Sequence, residues 1–252
     1  MPLDFTILSE KLSRGANYSC HFVGKGHLGW NTEDHLMINR GFDSHVGYLG
    51  GAETYQWGGG DKDPTKGHHD FWSDHEPAID LVPFIDYSAN FYSERTSGII
   101  AEHATRKAAQ PLWLHYTIQN VHAPYTLPLA WEVNEYPAFR GTKPVDPAGH
   151  AKDHILANML DMLDSAMGNL TTALTTAQMW SDTLIVFSAD NGGIGLGNNH
   201  PLRGHKHDPF EGGTRATAFI SGGFVPEALR GTTSGDLFVH VAVRPKAILT
   251  IL

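Results

Sequence analysis

Cysteine is almost absent from this 252-residue chain, and the single Cys20 excludes a disulfide within it. One thiol is compatible with an oxidising or a reducing compartment, so cysteine usage leaves the compartment open. No run of 18 apolar residues occurs, and we therefore expect no transmembrane helix. The first residues, Met1 to Thr6, have neither the basic start nor the apolar stretch of a signal peptide, so we expect no cleaved leader in this sequence.

Basic residues are also scarce, because 18 Lys and Arg stand against 27 Asp and Glu and give a formal net charge of -9. Without a basic run to contact phosphates, we expect no nucleic-acid partner. Hydrophobic residues make up 41% and aromatic residues 10%, which is typical of a globular rather than a disordered chain. No convincing linker interrupts the sequence, so we expect one domain over residues 1–252.

Apolar runs alternate with helical patterns along the chain, which is typical of an α/β fold. The predicted strands cover residues 18–23, 111–119, 182–188 and 217–221, and the predicted helices cover residues 86–110 and 154–180. In the second helix an apolar stripe from Leu156 through Leu160 to Ala177 predicts the face that packs on the core. Residues 41–78 show no clear periodicity and are predicted to form a long irregular excursion.

Polar side chains follow three of the predicted strands, where open α/β sheets bind their ligands. Lys25 and His27 follow the first strand, His122 the second, and Asp190 with Asn191 the third. Because Lys25 and His27 are two residues apart, an extended backbone would place them on one face. The carboxylate and the amide carbonyl after the third strand are hard oxygen donors that suit Ca²⁺ or Mg²⁺, although Asp-Asn-Gly-Gly is also a common turn.

Cations cluster shortly after this pair, in residues 201–215, although the protein is acidic. Lys206 and two arginines beside an oxygen-ligated divalent ion would suit an oxyanion such as sulfate or phosphate. For Arg203, Glu211 and Arg215 we slightly favour another interpretation, in which they form a surface ion-pair set that holds the loop.

Five motifs resemble the sulfatase family, in the family's order. They are Gly24-Lys-Gly-His-Leu-Gly29, Arg40-Gly-Phe-Asp43, Val121-His-Ala-Pro124, Ser188-Ala-Asp-Asn-Gly-Gly193, and Pro201-Leu-Arg-Gly-His-Lys206 with Glu211-Gly-Gly-Thr-Arg215. The resemblance covers nearly the whole chain, and within the family the sequence most resembles arylsulfatase B-like enzymes. It implies an alkaline-phosphatase-like α/β sandwich with a mostly parallel central sheet flanked by helices. It also implies a bound calcium ion and hydrolysis of a sulfate ester, in a lysosomal or secreted enzyme.

The resemblance also implies roles for individual residues. Asp190 and Asn191 would ligate the calcium ion, while Lys25 and Lys206 would hold sulfate oxygens. These roles fit the chemistry, because displacement at sulfur is favoured by fixed positive groups around the sulfonyl oxygens.

Two histidines complete the set of implied site residues. His122 would protonate the leaving oxygen, and His27 would contact the nucleophile. A histidine with its ordinary pKa of about 6.5 suits the role of proton donor.

The family's nucleophile is a formylglycine made from the cysteine of Cys-x-Pro-Ser-Arg, and this motif is absent here. Cys20 is followed by His-Phe-Val and is interpreted as a small buried residue. The family's opening strand with its aspartate pair and its smaller C-terminal sheet domain are absent too. We therefore expect a partial catalytic domain, truncated at both ends, incomplete in its calcium site and inactive when alone.

Two other functions remain open from the sequence. One is a catalytically inactive module that binds sulfated glycans or anions through the same lysines and histidines. The other is a phosphoesterase of the same fold, for which His68, His69 and His75 would offer a zinc site. A solvated loop is the preferred interpretation of these three histidines.

Two N-glycosylation sequons occur, Asn17-Tyr-Ser and Asn169-Leu-Thr. Such tripeptides also arise by chance, so they are weak indications of secretion.

Overall fold

A computed structural model describes residues 1–56, 70–78, 80–81, 85–106, 109–128 and 151–233. Its larger sheet has five strands in the order β4-β3-β2-β1-β5. These strands are β1 (Ser19–Lys25), β2 (Ser44–Tyr48), β3 (Trp72–Ser73), β4 (Glu76–Pro77) and β5 (Leu112–Thr117). The three longer strands are mutually parallel, because β1 pairs in parallel with β2 on one side and with β5 on the other.

Helices cover both faces of this sheet. They are α1 (Leu8–Ala16) on one face and α2 (Ser88–Arg106) on the other, and α3 (Ala151–Thr176) packs against α2. Adjacent residues of β1 alternate between the two faces, as the pleat requires. Phe22 packs in one cluster with Leu12 of α1, whereas Val23 packs in another with Ile99 of α2. A strand buried on both faces needs a nearly continuous apolar run, which explains why β1 is visible in the sequence.

A second, two-stranded antiparallel sheet is formed by β6 (Ile185–Ser188) and β7 (Ala218–Ser221). The short helix α4 (Glu211–Thr214) precedes β7 in the chain. The rings of Phe187 and Phe219 stack across the two strands at 4.7 Å. Much of this sheet faces solvent, since Val186 is 66% exposed and Ile220 49%. Within the described ranges, short 3-10 helices occupy Glu33–His35, Met37–Arg40, Trp180–Asp182 and Glu227–Leu229.

The predicted α/β architecture with a mostly parallel sheet is confirmed, but the irregular excursion predicted for residues 41–78 is wrong for the described part of that range, residues 41–56 and 70–78. They contain β2, which lies inside the larger sheet, and the short β3 and β4. In β2 the polar His45 and the glycine Gly47 interrupt the apolar pattern, yet both are buried. Gly47 is required there, because a Cβ would come within 1.9 Å of the Gly24 carbonyl oxygen on β1.

The predicted apolar stripe on α3 is also only partly correct. Leu160 is 46% exposed, whereas Met159, Met162 and Leu174 are buried. Met159 and Met162 pack in a cluster with Tyr55 and residues around the start of α2. The core therefore contacts a face shifted by about one residue from the leucine stripe, because packing against neighbouring elements fixes the helix rotation.

A buried ion pair joins α1 to the 3-10 turn at Arg40. The Arg40 Nε lies 3.3 Å from Glu10 Oε1, and both side chains are less than a tenth exposed. Burial opposes ionisation of Glu10, but hydrogen bonding by the Ile7 N–H and the Arg40 guanidinium leaves the pKa of Glu10 below its ordinary value. Arg40 also donates to the Phe5 carbonyl at 2.6 Å, so its charge is well solvated by protein groups.

Some predictions fall on residues outside the described part of the chain. These are His68 and His69 of the zinc alternative. Among the described helices, none combines the length and the apolar character that crossing a membrane requires.

Candidate functional site

Lys25 is the last residue of β1, and the chain beyond it is held against the end of β2. The Gly26 N–H donates to the Tyr48 carbonyl at 2.7 Å, and the His27 N–H donates to the Leu49 carbonyl at 3.0 Å. The Lys25 side chain is partly buried, and burial lowers the pKa of its ammonium group. The negative charge of Asp190 raises this pKa and the positive charge of Lys206 lowers it. Both residues belong to the segment between β6 and β7, so the charges of that segment act on Lys25.

His27 does not continue the strand. It has a φ of 49°, in the left-handed region, so the expectation that Lys25 and His27 share a face of extended backbone is wrong. The strand ends at Lys25, and alternation of side chains ends with it. The exposed His27 ring lies beside Gly51, where an added Cβ would come within 2.6 Å of Nε2.

His122 and Lys206 are brought together from opposite halves of the chain. The His122 Nε2 lies 3.3 Å from the Lys206 Nζ, and its Nδ1 lies 2.6 Å from the Ala123 carbonyl oxygen. The ammonium group can only donate and the carbonyl can only accept, so both contacts fit the neutral tautomer with its proton on Nδ1. In this arrangement Nε2 is an acceptor that faces a cation.

Two tyrosines support the loop that carries His122. The buried Tyr55 hydroxyl lies 2.8 Å from the His122 carbonyl oxygen and 3.0 Å from that of Gln119. Tyr125 donates to the Ile194 carbonyl at 2.9 Å and so connects this loop to the segment after β6. Sequence reasoning missed both residues, since a tyrosine in an aperiodic segment carries no local signal of such a contact.

Asp190 and Asn191 follow β6 in a tight turn. The Asn191 Nδ2 donates to the Gly192 carbonyl at 2.9 Å, which leaves its Oδ1 for other partners. Gly192 approaches α4 so closely that a Cβ would lie 1.8 Å from the Gly212 carbonyl oxygen. The glycines of this motif therefore serve close backbone packing as well as the turn.

The side chain of Asn199 fixes the position of Lys206. It accepts from the Gly193 N–H at 2.8 Å and donates to the Gly193 carbonyl at 2.9 Å. The Lys206 N–H donates to the same carbonyl at 3.2 Å. This loop was predicted to carry cations, but the asparagine that shapes it was not identified from the sequence.

The proposed surface ion-pair set is correct for two of its three members. Arg215 and Glu211 are exposed and lie 3.5 Å apart. Arg203 instead lies over the ring of Phe210, with its guanidinium carbon 3.7 Å from the ring centroid. This cation–π contact holds Arg203 on the loop without an acidic partner from that set.

The family model described as Sulfatase matches residues 7–238. This chain belongs to the sulfatase family. It is 33% identical over 243 residues to arylsulfatase J of Mus musculus and 30% identical over 242 residues to arylsulfatase A of Bos taurus. These alignments cover 96% and 90% of this chain but only 38% and 44% of the relatives. The chain therefore spans less than half the length of these two relatives.

Solved structures support the same fold for this sulfatase chain. The crystal structure of Ps i-CgsB superposes with a TM-score of 0.70 at 25% identity. Its complex with k-i-k-neocarrahexaose gives a TM-score of 0.68 at 26% identity. Each match covers 87% of this chain and 48% of the other chain. The alkaline-phosphatase-like expectation for the fold is thereby confirmed.

Sulfatases generally use calcium, and the described residues fit such an ion only in part. Asp190 and Asn191 supply oxygen donors of the right chemistry, but Ca²⁺ takes about six to eight oxygen ligands. Across the described ranges no group of three or more His, Cys, Asp or Glu side chains is arranged to hold a metal. Two side chains alone do not make a calcium site.

Proposed function

We propose that this chain supplies the sulfate-binding part of a sulfuric ester hydrolase active centre. In this proposal Lys25 and Lys206 hold sulfate oxygens, and His122 protonates the leaving oxygen. The observation that carries it is the 3.3 Å contact between Lys206 Nζ and His122 Nε2, together with the electrostatic coupling of both Lys206 and Asp190 to Lys25. A lysine in contact with an imidazole, and a second lysine whose pKa responds to the charge of the first, suit a tetrahedral oxyanion.

The contact between Lys206 and His122 gives the proposal a specific sequence of events. When a sulfate ester binds, the Lys206 ammonium turns its N–H groups to the sulfate oxygens and leaves His122 Nε2. That nitrogen can then take a proton from solvent and donate it to the ester oxygen, while the other proton stays on Nδ1, which donates to the Ala123 carbonyl. The neighbouring positive charge of Lys206 is compensated by the bound anion at the same moment.

His27 and the Asp190–Asn191 pair keep proposed roles that need groups outside the described residues. His27 would contact the nucleophile, and Asp190 with Asn191 would contribute two of the ligands of a calcium ion. Formylglycine is the family's nucleophile, but the sequence contains no Cys-x-Pro-Ser-Arg motif. Cys20, the one cysteine, is fully buried in the α1 layer.

We therefore propose hydrolysis for a longer sulfatase that also contains the formylglycine nucleophile. For the 252-residue chain by itself we propose binding of the sulfate ester without turnover. The substrate class is a sulfate ester, which includes sulfated glycans, and the family resemblance indicates a lysosomal or secreted setting. The second candidate function is a dedicated binding module for sulfated glycans or anions. It is favoured by the same observation, a cationic site in a chain without the nucleophile motif.

Titration of the chain with inorganic sulfate and with a sulfated monosaccharide, followed by calorimetry or amide NMR shifts, tests the proposal. Lys206→Met should weaken binding about tenfold, because it removes a charge-assisted hydrogen bond. Lys11→Met, which removes an exposed lysine of α1, is the matched control and should leave binding unchanged. Equal affinities of the two variants would contradict the assignment.

Turnover of a fluorogenic aryl sulfate distinguishes the two candidate functions. The chain alone should bind the ester and release no alcohol. When it is joined to a sulfatase segment that contains a formylglycine, hydrolysis should appear and should depend on His122. If the joined protein binds ester but stays inactive, the binding-module function is the correct one.

A further inference from the structure

We propose that Asn17 is an N-glycan acceptor when this chain enters a eukaryotic secretory pathway, and that Asn169 is not. Both belong to complete sequons, Asn17-Tyr-Ser and Asn169-Leu-Thr, and both are exposed. Sequence alone therefore treats them alike. Two features of the structure distinguish them. One is which side-chain atom of each asparagine forms a hydrogen bond, and the other is how early each sequon becomes part of a folded helix or strand.

The first difference concerns the amide nitrogen that would carry the sugar. The Oδ1 of Asn17 accepts a hydrogen bond from Gln110 Nε2 at 3.0 Å, and no hydrogen bond of its Nδ2 occurs within the described residues. Asn169 shows the opposite arrangement, because its Nδ2 donates to Ser93 Oγ on α2 at 3.1 Å. A glycan on Asn17 keeps the existing contact, whereas a glycan on Asn169 must replace the bond between α3 and α2.

The second difference concerns the hydroxyl residue of each sequon. Thr171 Oγ1 donates to the Met167 carbonyl at 2.9 Å, a bond within one turn of α3. Helices form in about a microsecond, so the Thr171 hydroxyl is engaged within α3 as soon as this segment is made, and the sequon is no longer extended for glycan transfer. Ser19 is also buried in the folded protein, where its Oγ donates to Asp43 Oδ2 at 3.0 Å and lies 2.9 Å from His21 Nε2. Unlike the helix around Thr171, however, its strand is completed only by Leu112 of β5, roughly 90 residues further along the chain. At about 5–20 residues per second, β1 remains incomplete for several seconds after Asn17 emerges.

The position of Asn17 also keeps a glycan away from the candidate site. Asn17 ends α1 in a left-handed conformation with a φ of 57°, just before the start of β1. Lys25 lies at the other end of this seven-residue strand, roughly 20 Å away at about 3.3 Å per residue. The bulky group would therefore project from the end of the sheet opposite to the lysines.

The covalent step needs a lipid-linked pyrophosphate oligosaccharide as its donor. The Nδ2 of Asn17 forms a bond to C1 of the first sugar, and the bond between C1 and the pyrophosphate breaks. One amide proton is released, and the lipid pyrophosphate leaves. No oxidant or reductant is involved.

The test is expression of the full 252-residue chain behind a secretion signal in eukaryotic cells, with gel mobility of total lysate before and after enzymatic deglycosylation. The chain should carry one glycan, Asn17→Gln should lose it, and Asn169→Gln should keep it. Because transfer takes place while the chain is being made, before its tertiary structure is complete, total lysate reports occupancy even for variants that are not secreted. A glycan that persists in Asn17→Gln, or no glycan at all, overturns the proposal.

A second pair of variants tests the reason for the difference. Gly168 lies on an exposed side of α3, and an added Cβ there meets nothing within 4 Å. Gly168→Pro should break the helix beside the second sequon and bring a second glycan onto Asn169. Gly168→Ala, which preserves the helix, should leave one glycan. If the proline variant still carries a single glycan, helix formation is not what protects Asn169.

Discussion

The two sheets of this protein differ in how they are stabilised. The five-stranded sheet lies between α1 and α2, and the β1 residues Phe22 and Val23 are at most 2% exposed. The two-stranded sheet leaves Phe219 and Val186 45% and 66% exposed. Each sheet nevertheless carries part of the candidate site, because Lys25 ends β1 and Asp190 follows β6. The site therefore depends on a well-packed region and on one with little core of its own.

The largest effect should come from the buried ion pair beneath the first sheet. Arg40→Met leaves the Glu10 carboxylate buried without its partner and should cost about 3–5 kcal/mol of unfolding free energy. Urea denaturation followed by circular dichroism measures this. Arg215→Met removes the exposed partner of Glu211 and should change the same quantity by about 0–1 kcal/mol. If Arg40→Met and Arg215→Met reduced the unfolding free energy equally, burial of the Arg40–Glu10 pair would not make it more important than the exposed Arg215–Glu211 pair.

A matched pair of aromatic truncations compares the sheets directly. Phe22→Ala removes a fully buried ring of β1 and should destabilise the protein by about 3–5 kcal/mol. Phe219→Ala removes a half-exposed ring of β7 and should cost about 1 kcal/mol, most of it from the lost stacking on Phe187. Thermal melting of both variants is the measurement. A larger loss for Phe219 would indicate that the second sheet is covered in solution.

The first sheet should also be more sensitive to acid. Burial lowers the pKa of His45 to about 4, although Asp74 partly opposes this, and neither ring nitrogen has a hydrogen-bond partner among the residues that the structure describes. The folded protein keeps the ring neutral, whereas the unfolded chain protonates it below about pH 6.5. Stability from this residue is thus complete above pH 6.5 and is lost as the pH falls towards 4, by up to about 1.4 kcal/mol per pH unit.

The His45→Phe variant isolates this contribution. It keeps an aromatic ring beside Phe22 and removes the titrating group, so the unfolding free energy should depend less on pH between 4 and 6.5. Urea titrations at several pH values in this window report the slope. Identical slopes for variant and parent would mean that His45 is protonated in the folded state.

The smallest predicted effect is a change in the pKa of Lys25, which tests whether the end of β1 lies near the segment after β6. Lys206→Met should raise the pKa of Lys25, since it removes a like charge, and Asp190→Asn should lower it, since it removes an opposite charge. NMR titration of the Lys25 side chain follows both changes. Shifts of the same sign, or none, would show that the end of β1 and the segment after β6 do not meet as described.

The sequence alone determined the elements that bury one continuous apolar run or present one helical face. Strand β1 and helix α2 are of this kind, and so is the order of sulfatase motifs, which depends only on residue identity. Contacts between distant segments carried no such signal. Strand β2 was missed because its buried His45 and Gly47 do not look apolar, and His27 was misplaced because the end of β1 breaks the alternation.

Tertiary structure alone decided which groups work together. The meeting of His122 with Lys206, the hydroxyl of Tyr55 beneath the His122 loop and the unequal fates of Asn17 and Asn169 all depend on partners far along the chain. Local patterns report the period with which a segment is buried, since each strand or helix must hide its own apolar face. Which side chain lies across from it is set by packing between segments, and that information becomes available only when they fold together.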